Sequence, residues 1–575
     1  MISKQTEQTK TERYQYMKGR LAYIGLSLLA GTTALVCAVT PAQAADKKPN
    51  ILFIMSDDVG WFNIGAYHQG MMRGKTPNLD KLAAQGMRFT DYYAEASCTA
   101  GRANFITGEL PARTGLTTVG QAGADVGMPD KAVTLATILK AQGYATGQFG
   151  KNHLGDKNKF LPTLHGFDEF FGYLYHLDAM SDPYWHDYPQ DWIAKTGPRN
   201  IVHSWATDVD DPTEMPRWGV VGKQKIVDEG PLAPWANMKD KQDWQMGQPA
   251  KYDMETFDEV LVEKSSAFMD QAKKDGKPFF VWHNTARMHV WTTLSPKYQA
   301  KMNAESKYGL EDAGMAQLDD AVGALLKHLE DIGEADNTIV VFTTDNGTQV
   351  FTWPDGGMTP FKATKGTVYE GGFRVPAIIR WPGKVKPGTV ENGIFSGLDW
   401  LPTFAAAAGR PNIKDELLKG VQIGERTYKN YLDGYDQMAL LTGQGPSARN
   451  EIVYFGGTHF GAMRIGDFKF QFYQQPNGWL GEKVTTDAPM MTDLREDPFE
   501  RLGSVRGETM NNGGGNGYMN SFFAREFWRF IMMQEAVSVL AKSAIDYPPM
   551  QPGAGFGIEE IKAKIEAAIA AQRSQ

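Results

Sequence analysis

The chain has 575 residues, of which 42% are hydrophobic and 22% are charged, and its formal net charge is −8 at pH 7. This length exceeds what one compact domain usually holds, and the composition is that of an ordinary globular protein rather than a disordered or fibrous one. The negative charge excludes a general nucleic-acid binder, since that role needs an excess of Lys and Arg. An anionic substrate must therefore be attracted by a local cluster of cations.

Residues 1–44 have the pattern of a signal peptide. Lys18 and Arg20 end a basic region, an apolar run follows, and the sequence TPAQAA supplies small residues typical of a cleavage site. Two alternatives stay open: a membrane anchor formed by the same run, and a lipoprotein attached through Cys37. We expect a periplasmic or secreted protein without stable membrane association after the leader is removed.

Four apolar runs follow, and each ends in polar residues. They are short and rich in β-branched and aromatic residues, which predicts strands buried on both faces. The runs begin NILFIM, YATGQFG, PFFVW and NTIVVFTT, and they end at Asp57 and Asp58, at Lys151 and His153, at His289, and at Asp345 and Asn346. Helical patterns lie between the runs, at residues 76–86, 133–143, 252–274 and 309–332. This alternation predicts an α/β fold with a large, mixed, mostly parallel sheet sandwiched by helices.

The segment 173–250 breaks the alternation. Its six tryptophans are scattered among Asp, Pro and Gly: Trp185, Trp192, Trp205, Trp218, Trp235 and Trp244. A loop region of this length is usually functional or disordered. Two interpretations stay open: an ordered cap over the site, able to hold an aromatic or sugar ring, and an insertion packed on the outside.

After residue 410 the pattern changes to short strands and turns. Segments 451–457 and 461–473 predict strands, and residues 522–547 predict a helix whose Met and aromatic side chains pack in the core. A smaller C-terminal α+β domain with an antiparallel sheet is therefore expected. The predicted organisation is a signal peptide over 1–44, a catalytic domain over 46–410 that includes the 173–250 insertion, a C-terminal domain over 411–547, and a tail over 548–575 with the surface-helix pattern IEEIKAKIEAAIAAQ.

Two pairs of oxygen-bearing side chains end the first and the last apolar run. Asp57, Asp58, Asp345 and Asn346 offer three carboxylates and an amide, which suit Ca²⁺ or Mg²⁺ better than zinc. Asp and Asn-Gly are common in ordinary turns, but ligands bind beyond the carboxyl ends of parallel strands. The two pairs therefore predict one metal site.

Five cationic or ionisable side chains are expected near the same rim: Arg102, Lys151, His153, His289 and Lys365. Together with a metal ion they would neutralise a tetrahedral oxyanion and stabilise charge on a leaving oxygen. These residues narrow the chemistry to phosphoryl or sulfuryl transfer.

The chain has two cysteines, Cys37 and Cys98. Cys37 leaves with the leader, so the exported protein keeps one thiol that cannot form an internal disulfide. A buried, inert cysteine is the simplest interpretation, but the residues around Cys98 favour another.

SCTAGR at residues 97–102, followed by ITGELPART, resembles the Cys-x-Pro/Ala-x-Arg signature of the type I sulfatases. This family is arylsulfatase-like and belongs to the alkaline phosphatase superfamily. Four further segments resemble the family's other site motifs and occur in the same order: NILFIMSDDVGW, GKNHLG, VVFTTDNG and TKGTVYEGGFRVP. Several motifs in the right order are a much stronger signal than one.

The resemblance implies that a maturase converts Cys98 to Cα-formylglycine, an aldehyde. One hydroxyl of its hydrate would attack sulfur and displace the alcohol, and the other would let the intermediate collapse and release sulfate. The implied metal is Ca²⁺, with Mg²⁺ as the alternative, and its implied ligands are Asp57, Asp58, Cys98, Asp345 and Asn346.

The resemblance also implies roles for the basic residues. Arg102 would anchor the formylglycine, and Lys151 would bind both it and the sulfate. His153 would assist the collapse, and His289 and Lys365 would contact sulfate and protonate the leaving oxygen.

Three departures from the family pattern concern site residues. Ala100 stands where proline is most frequent, Gly101 replaces a small hydroxyl residue, and Asn152 replaces a tryptophan. The prolines that often flank the family's histidine are missing around His289, so His283 is the alternative at that position.

The expected function is hydrolysis of sulfate esters, with aryl sulfates as the first candidates. The alternatives are a phosphonate monoester or phosphodiester hydrolase on the same site, a sulfatase of sulfated glycans, and a glycan binder with an unconverted cysteine. The expected partners are therefore a small-molecule or glycan sulfate ester and the maturase, and no nucleic acid.

Overall fold

The computed structural model describes most of the chain that follows the predicted leader. The described ranges are 47–118, 122–239, 249–352, 355–356, 359–501, 522 and 524–553. The predicted signal peptide and the predicted surface helix of the tail lie outside them. Inside these ranges, no helix combines the length and the apolar character that crossing a bilayer requires.

The strands of the described residues are, in chain order, β1 (Asn50–Ser56), β2 (Met87–Phe89), β3 (Tyr92–Tyr93), β4 (Ala145–Gly150), β5 (Glu169–Gly172), β6 (Val202–Met215), β7 (Gly219–Asp228), β8 (Leu232–Ala233), β9 (Tyr252–Asp253), β10 (Phe279–Asn284), β11 (Thr338–Thr344), β12 (Ala377–Arg380), β13 (Thr389–Glu391), β14 (Phe395–Ser396), β15 (Val421–Ile423), β16 (Arg426–Tyr428), β17 (Glu451–Gly456), β18 (His459–Ile465), β19 (Phe468–Gln474) and β20 (Val484–Asp493).

The helices of the same ranges are α1 (Gly65–His68), α2 (Pro77–Gln85), α3 (Cys98–Thr107), α4 (Pro111–Thr114), α5 (Leu135–Ala141), α6 (Gln190–Lys195), α7 (Phe257–Lys274), α8 (Pro296–Gln299), α9 (Leu310–Asp331), α10 (Glu370–Phe373), α11 (Trp400–Ala407), α12 (Ile413–Lys419), α13 (Met438–Leu441) and α14 (Arg529–Asp546). Short 3₁₀ segments are Trp61–Asn63, Asn158–Phe160, Pro162–Leu164, Asp178–Tyr184, Ala236–Met238, Ala335–Asn337 and Gly397–Asp399.

Ten strands form the central sheet, in the order β13-β2-β12-β11-β1-β10-β4-β5-β6-β7. The strands from β11 to β5 in this order are parallel to one another. On either side, β12 pairs antiparallel with β11 and β6 pairs antiparallel with β5. The sheet is therefore mixed with a parallel centre, as the sequence predicts.

The apolar runs form strands because both of their faces are covered. In β1, Ile51 and Phe53 belong to one hydrophobic core, and Leu52 and Ile54 belong to the core on the other face. Helices α5 and α11 contribute to the first core, and α7 and α9 contribute to the second. This arrangement confirms the predicted α/β class and the sheet sandwiched by helices.

The segment 173–250 is ordered through most of its described part. Its hairpin of β6 and β7 pairs with β5 and extends the central sheet at one edge. The first residues of the segment, by contrast, reach the functional site described below. That the segment caps the site and holds a ring of the substrate stays a prediction.

The C-terminal region contains the predicted antiparallel sheet, formed by β17 to β20. The segment 461–473, predicted as one strand, belongs instead to the hairpin of β18 and β19. Gly466 lies in the turn at φ +57°, a conformation that glycine adopts readily. The domain boundary near residue 410 stays a prediction.

The helix predicted over residues 522–547 is described as α14 from Arg529. Met533 packs against Phe470 and Met491 of the neighbouring sheet. Phe527, Trp528 and Met532 are exposed, so the expectation that Met and aromatic side chains of this segment lie in the core is confirmed for Met533 and wrong for these three. The helix lies on the surface of the protein and only partly contacts the sheet.

Candidate active site

The carboxyl ends of four adjacent parallel strands meet at one edge of the central sheet. Strands β11, β1, β10 and β4 are neighbours that run in the same direction. The polar residues that follow them therefore converge. Ligand atoms of Asp57, Asp58, Cys98 and Asp345 all lie within 4.8 Å of one another, and all four side chains are buried.

Helix α3 begins at Cys98 and holds this residue against the acidic side chains. Cys98 Sγ lies 3.4 Å from Asp57 Oδ1 and 3.1 Å from Lys365 Nζ. Gly101 permits the close approach, because a Cβ at this position would lie 1.7 Å from the carbonyl oxygen of Asp345. The absence of a larger residue at position 101 therefore matches the tight packing of α3 against the end of β11.

Arg102 is fully buried and joins the ends of four strands. Its Nε donates to Asp345 Oδ2 at 2.9 Å, and its Nη2 lies 3.6 Å from Asp57 Oδ2. Its Nη1 donates to Asn284 Oδ1 at 2.7 Å and to the carbonyl of Lys151 at 3.1 Å. The planar guanidinium thus fixes the positions of residues from several elements at once.

Two buried lysines contact the carboxylates. Lys151 directly follows β4 and donates to Asp57 Oδ2. Lys365 lies in the loop before α10, and its Nζ donates to Asp58 Oδ1 at 2.5 Å. The backbone N–H of Lys365 donates to the carbonyl of Thr348 at 2.9 Å, which ties this loop to the chain that follows β11. The site therefore places two ammonium groups next to Cys98 and its acidic neighbours.

Three oxygen atoms of the site lack hydrogen-bond partners among the described residues: Asp58 Oδ2, Asp345 Oδ1 and Asn346 Oδ1. Unpartnered buried polar atoms are costly and call for a ligand. Asn346 Nδ2 donates to Asp58 Oδ1 at 2.6 Å, which leaves the amide oxygen of Asn346 available. Carboxylate and amide oxygens are ligands of hard divalent cations. The donor set therefore fits a divalent metal ion.

The structure places His289 at the site and leaves His283 in the core. His289 Nε2 lies 3.9 Å from Asp58 Oδ2. His283 lies within β10, where its Nδ1 and the hydroxyl of Ser265 are hydrogen-bonded at 2.8 Å. The backbone N–H of Met288 donates to the carbonyl of Asp57 at 2.7 Å. This contact returns the chain after β10 to the site and brings His289 with it.

His153 is buried beside the same cluster. Within the described part of the chain, neither of its ring nitrogens has a hydrogen-bond partner. Its carbonyl accepts from the hydroxyl of Thr99, the residue after Cys98, at 3.0 Å. Burial and the nearby charge of Lys151 lower the pKa of His153. The imidazole is therefore neutral at neutral pH.

Burial and neighbouring charges shift the pKa values of the cluster in opposite directions. Burial and the charge of Asp57 raise the pKa of Asp345 to about 6. Burial also raises the pKa of Asp57, but Lys151 and His289 outweigh it and hold this pKa well below its usual range. Burial and Lys151 lower the pKa of His289 to about 4. Burial and Asp57 raise the pKa of the Cys98 thiol, which keeps it protonated at neutral pH.

Three residues of the site are missing from the sequence prediction: Asn284, His176 and Asp178. Asp178 Oδ1 lies 3.5 Å from His289 Nδ1 and 2.6 Å from His176 Nδ1. Asn284 ends β10, so the rule that polar residues follow strand ends would have found it. His176 and Asp178 lie in the segment 173–250, whose sequence carries no periodic signal.

Comparison with known proteins agrees with this geometry. The family model named Sulfatase matches residues 49–410. Arylsulfatase A of Bos taurus is 34% identical over 496 residues, which are 81% of this chain and 85% of the relative. N-acetylgalactosamine-6-sulfatase of Homo sapiens is 30% identical and covers 80% of this chain and 82% of its own length. The crystal structure of the PsFucS1 sulfatase from Pseudoalteromonas sp. aligns with a TM-score of 0.65 and 28% identity, over 84% of this chain and 91% of that chain.

The family match extends over every strand whose end contributes to the site, and the relatives are similar over most of both chains. The order of the motifs, the convergence of their residues and these similarities support one conclusion. The chain belongs to the sulfatase family and is a hydrolase of sulfate esters.

Proposed function

We propose that the protein hydrolyses aryl sulfates, with Cα-formylglycine at position 98 and Ca²⁺ as its metal ion. The observation that carries this proposal is the burial of Cys98 among three carboxylates whose ligand atoms lie within 4.8 Å of one another. The same cysteine lies in the sulfatase signature SCTAGR. Because Cys98 is fully buried, the maturase would act on it before the chain completes folding.

Asp57, Asp58, Asp345 and Asn346 would hold the Ca²⁺ together with the converted residue 98. A metal ion bound there would neutralise the carboxylates and polarise a sulfate oxygen. Ca²⁺ suits this set better than Mg²⁺, because Ca²⁺ accepts an irregular set of protein oxygens, whereas Mg²⁺ usually keeps several waters.

The two lysines would bind the sulfate group. Lys365 Nζ lies within 3.1 Å of Cys98 Sγ, and Lys151 contacts the Asp57 carboxylate. Their positive charges are fixed next to the position of the attacking atom, so they would stabilise the charge that develops on the sulfate oxygens. Arg102 would keep residue 98 in place, because it joins α3 to Asp345.

Proton transfer would involve four residues. The hydrated aldehyde would supply the attacking hydroxyl, and Asp345 would accept its proton. Lys365 would protonate the leaving oxygen, and so would His289 once the negative charge of a bound sulfate raises its pKa. His153, with its two unpartnered ring nitrogens in the described part of the site, would accept the proton that is released when sulfate departs.

A sulfated glycan is the second candidate substrate. The similarity to a relative named N-acetylgalactosamine-6-sulfatase favours it. The cations of the site would also fit phosphonate monoesters and phosphodiesters, which makes these compounds the necessary comparison in an assay.

We also propose that residues 1–44 direct export and that the protein acts in the periplasm or outside the cell. Residues 46–410 and 411–547 are proposed to be separate domains.

Two measurements on the purified protein test the proposal. In the mass spectrum of the peptide that contains position 98, an oxygen should replace the SH group and one hydrogen. The same preparation should cleave 4-nitrophenyl sulfate with a higher kcat/KM than the matched phosphodiester or phosphonate monoester. Aldehyde-bearing protein that cleaves no sulfate ester would contradict the proposed activity, and active protein with an unmodified thiol would contradict the proposed nucleophile.

A further inference from the structure

An indole from the C-terminal sheet lies next to the sulfate-binding lysine. Trp479 belongs to the loop between β19 and β20, far in the sequence from the motifs of the site. Lys365 Nζ lies 5.7 Å from the centre of the Trp479 ring and 3.1 Å from Cys98 Sγ. One ammonium group therefore borders both the position of the nucleophile and the indole.

The loop that carries Trp479 is fastened to the loop that carries Lys365. The side chain of Gln475 donates to the carbonyl of Gly366 at 3.1 Å and accepts from the N–H of Val368 at 3.2 Å. The indole packs directly on the backbone of Gly366, where a Cβ would lie 2.0 Å from Trp479 Cγ. Gly366 also has φ +80°, which favours glycine. Trp479 is therefore held in a defined position.

A second aromatic ring lies next to Trp479. Phe351 follows β11 in the sequence, and its ring is nearly parallel to the Trp479 ring, with centroids 6.5 Å apart and an angle of 19° between the planes. Phe351 is 52% exposed, and Trp479 is half-buried. Two loops that follow strands of different sheets thus place partly exposed aromatic rings beside a site that otherwise consists mainly of charged side chains.

We propose that Trp479 and Phe351 form a stacking platform for the ring that carries the sulfate ester. This inference rests on the proposed sulfatase activity and names its substrate class: esters in which the sulfate is attached to a ring with an apolar face, from an aryl compound or from a sugar. Lys365 binds the sulfate of such a molecule while the adjoining indole covers its ring. Trp479 is accordingly a specificity residue, and Lys365 connects it to the reacting atoms.

The test compares Trp479→Ala and Trp479→Phe with the wild-type protein on 4-nitrophenyl sulfate and on N-acetylgalactosamine 6-sulfate. Trp528→Ala, which removes an exposed indole from the surface beside α14, is the control. We expect Trp479→Ala to raise KM about tenfold on at least one substrate with kcat changed by less than about threefold. Trp479→Phe, which keeps a ring, should recover most of the loss.

Inorganic sulfate serves as the comparison ligand, because it carries the sulfate group but no ring. Its competitive inhibition constant should change by less than about twofold in Trp479→Ala, because the platform contacts the ring and not the sulfate. A rise in KM on the aryl ester, on the sugar ester or on both supports the platform and identifies the source of the ring.

Equal losses for inorganic sulfate and for the esters would overturn the inference, because they would show that Trp479 merely positions Lys365. Unchanged KM on both esters would also overturn it while leaving the proposed sulfatase activity intact. A wild-type protein that cleaves neither ester would reject the proposed activity and the platform together.

Discussion

Two clusters of buried charge in the described part of the protein are built from similar residues but differ in how their carboxylate oxygens are paired. The first is the active-site cluster around Cys98. The second, the anchor network, lies between the central and C-terminal sheets and consists of Asp91, Tyr93, Glu370, Arg374, Tyr454, Arg464, Lys469 and Glu500. Burial alone therefore does not distinguish a functional cluster from a structural one.

The difference lies in how the carboxylates are satisfied. In the anchor network, Glu370 accepts from Tyr93 at 2.6 Å, from Tyr454 at 2.7 Å and from Lys469 at 3.1 Å, so both of its oxygens are occupied. In the active-site cluster, Asp58 Oδ2 and Asp345 Oδ1 have no hydrogen-bond partner within the described ranges. The other carboxylates of the anchor network also face cations: Asp91 Oδ2 lies 2.9 Å from Arg495 Nη1, and Glu500 Oε1 lies 2.7 Å from Lys469 Nζ. The anchor network thus pairs its carboxylate oxygens with cations, whereas the active-site cluster keeps acceptors that a ligand can use.

The largest effect is expected from Cys98→Ala, which breaks the active-site cluster at its centre. Loss of the nucleophile should lower kcat/KM on 4-nitrophenyl sulfate by about 10⁴-fold or more. The free energy of unfolding should change by only about 1 kcal/mol, because one small buried group is removed. Steady-state assays and thermal unfolding measure the two quantities, and a variant that keeps more than a hundredth of the wild-type activity would contradict the assignment.

Removal of the metal should have the next largest effect. Chelation should lower kcat by about 10³-fold, because the charge stabilisation that the ion supplies is lost, and added Ca²⁺ should restore activity better than Mg²⁺. Ca²⁺ should also raise the midpoint of thermal unfolding, since it binds the folded state. In Asp345→Asn this increase should be smaller. Equal increases in the two proteins would exclude Asp345 as a ligand.

Glu370→Gln tests the anchor network, where the expected change is in stability. Although burial raises the pKa of Glu370, Lys469 and Arg374 bring it down to about 2, so the carboxylate is charged at neutral pH. Removing its charge leaves two buried cations with one partner fewer and should cost about 3–5 kcal/mol in unfolding free energy.

A double variant separates this charge effect from a packing effect. Glu370→Gln combined with Lys469→Met should be less destabilised than the sum of the single variants, because the second substitution removes one of the unpaired cations. Denaturant unfolding of the four proteins gives the coupling. Strict additivity would show that Glu370 and Lys469 do not stabilise each other.

The sequence predicts the central sheet and the metal cluster because each depends on local patterns. Apolar runs without alternation identify β1, β4, β10 and β11, and the polar residues at their ends are residues that the structure brings together. The turn at Gly466 was missed because the apolar pattern continues on both sides of it. The sequence does not reveal which apolar residues of α14 are exposed, such as Met532, because apolar residues occur on all sides of that helix and give no dominant face.

The parts of the site that could not be predicted come from distant segments. His176 and Asp178 reach the site from a stretch without periodicity, and Trp479 reaches it from another sheet. Their positions depend on tertiary contacts such as the bonds between Gln475 and the Lys365 loop. Single-sequence patterns report only on the neighbours of a residue along the chain, so such contacts leave no signal in them.

The sequence leaves open whether His289 or His283 is the histidine of the active site, and two matched variants can decide between them. His289→Ala should lower kcat about 10²-fold, since it removes a group proposed to protonate the leaving oxygen. This loss in kcat should be smaller on substrates with better leaving groups, because these need less protonation. The free energy of unfolding should be nearly unchanged.

His283→Ala should show the opposite pattern, because His283 is completely buried and hydrogen-bonded to Ser265. Leaving the Ser265 hydroxyl without this partner should cost about 1–3 kcal/mol of unfolding free energy, while kcat per folded molecule stays close to that of the wild type. If His283→Ala rather than His289→Ala showed the loss that depends on the leaving group, the assignment would have to be reversed.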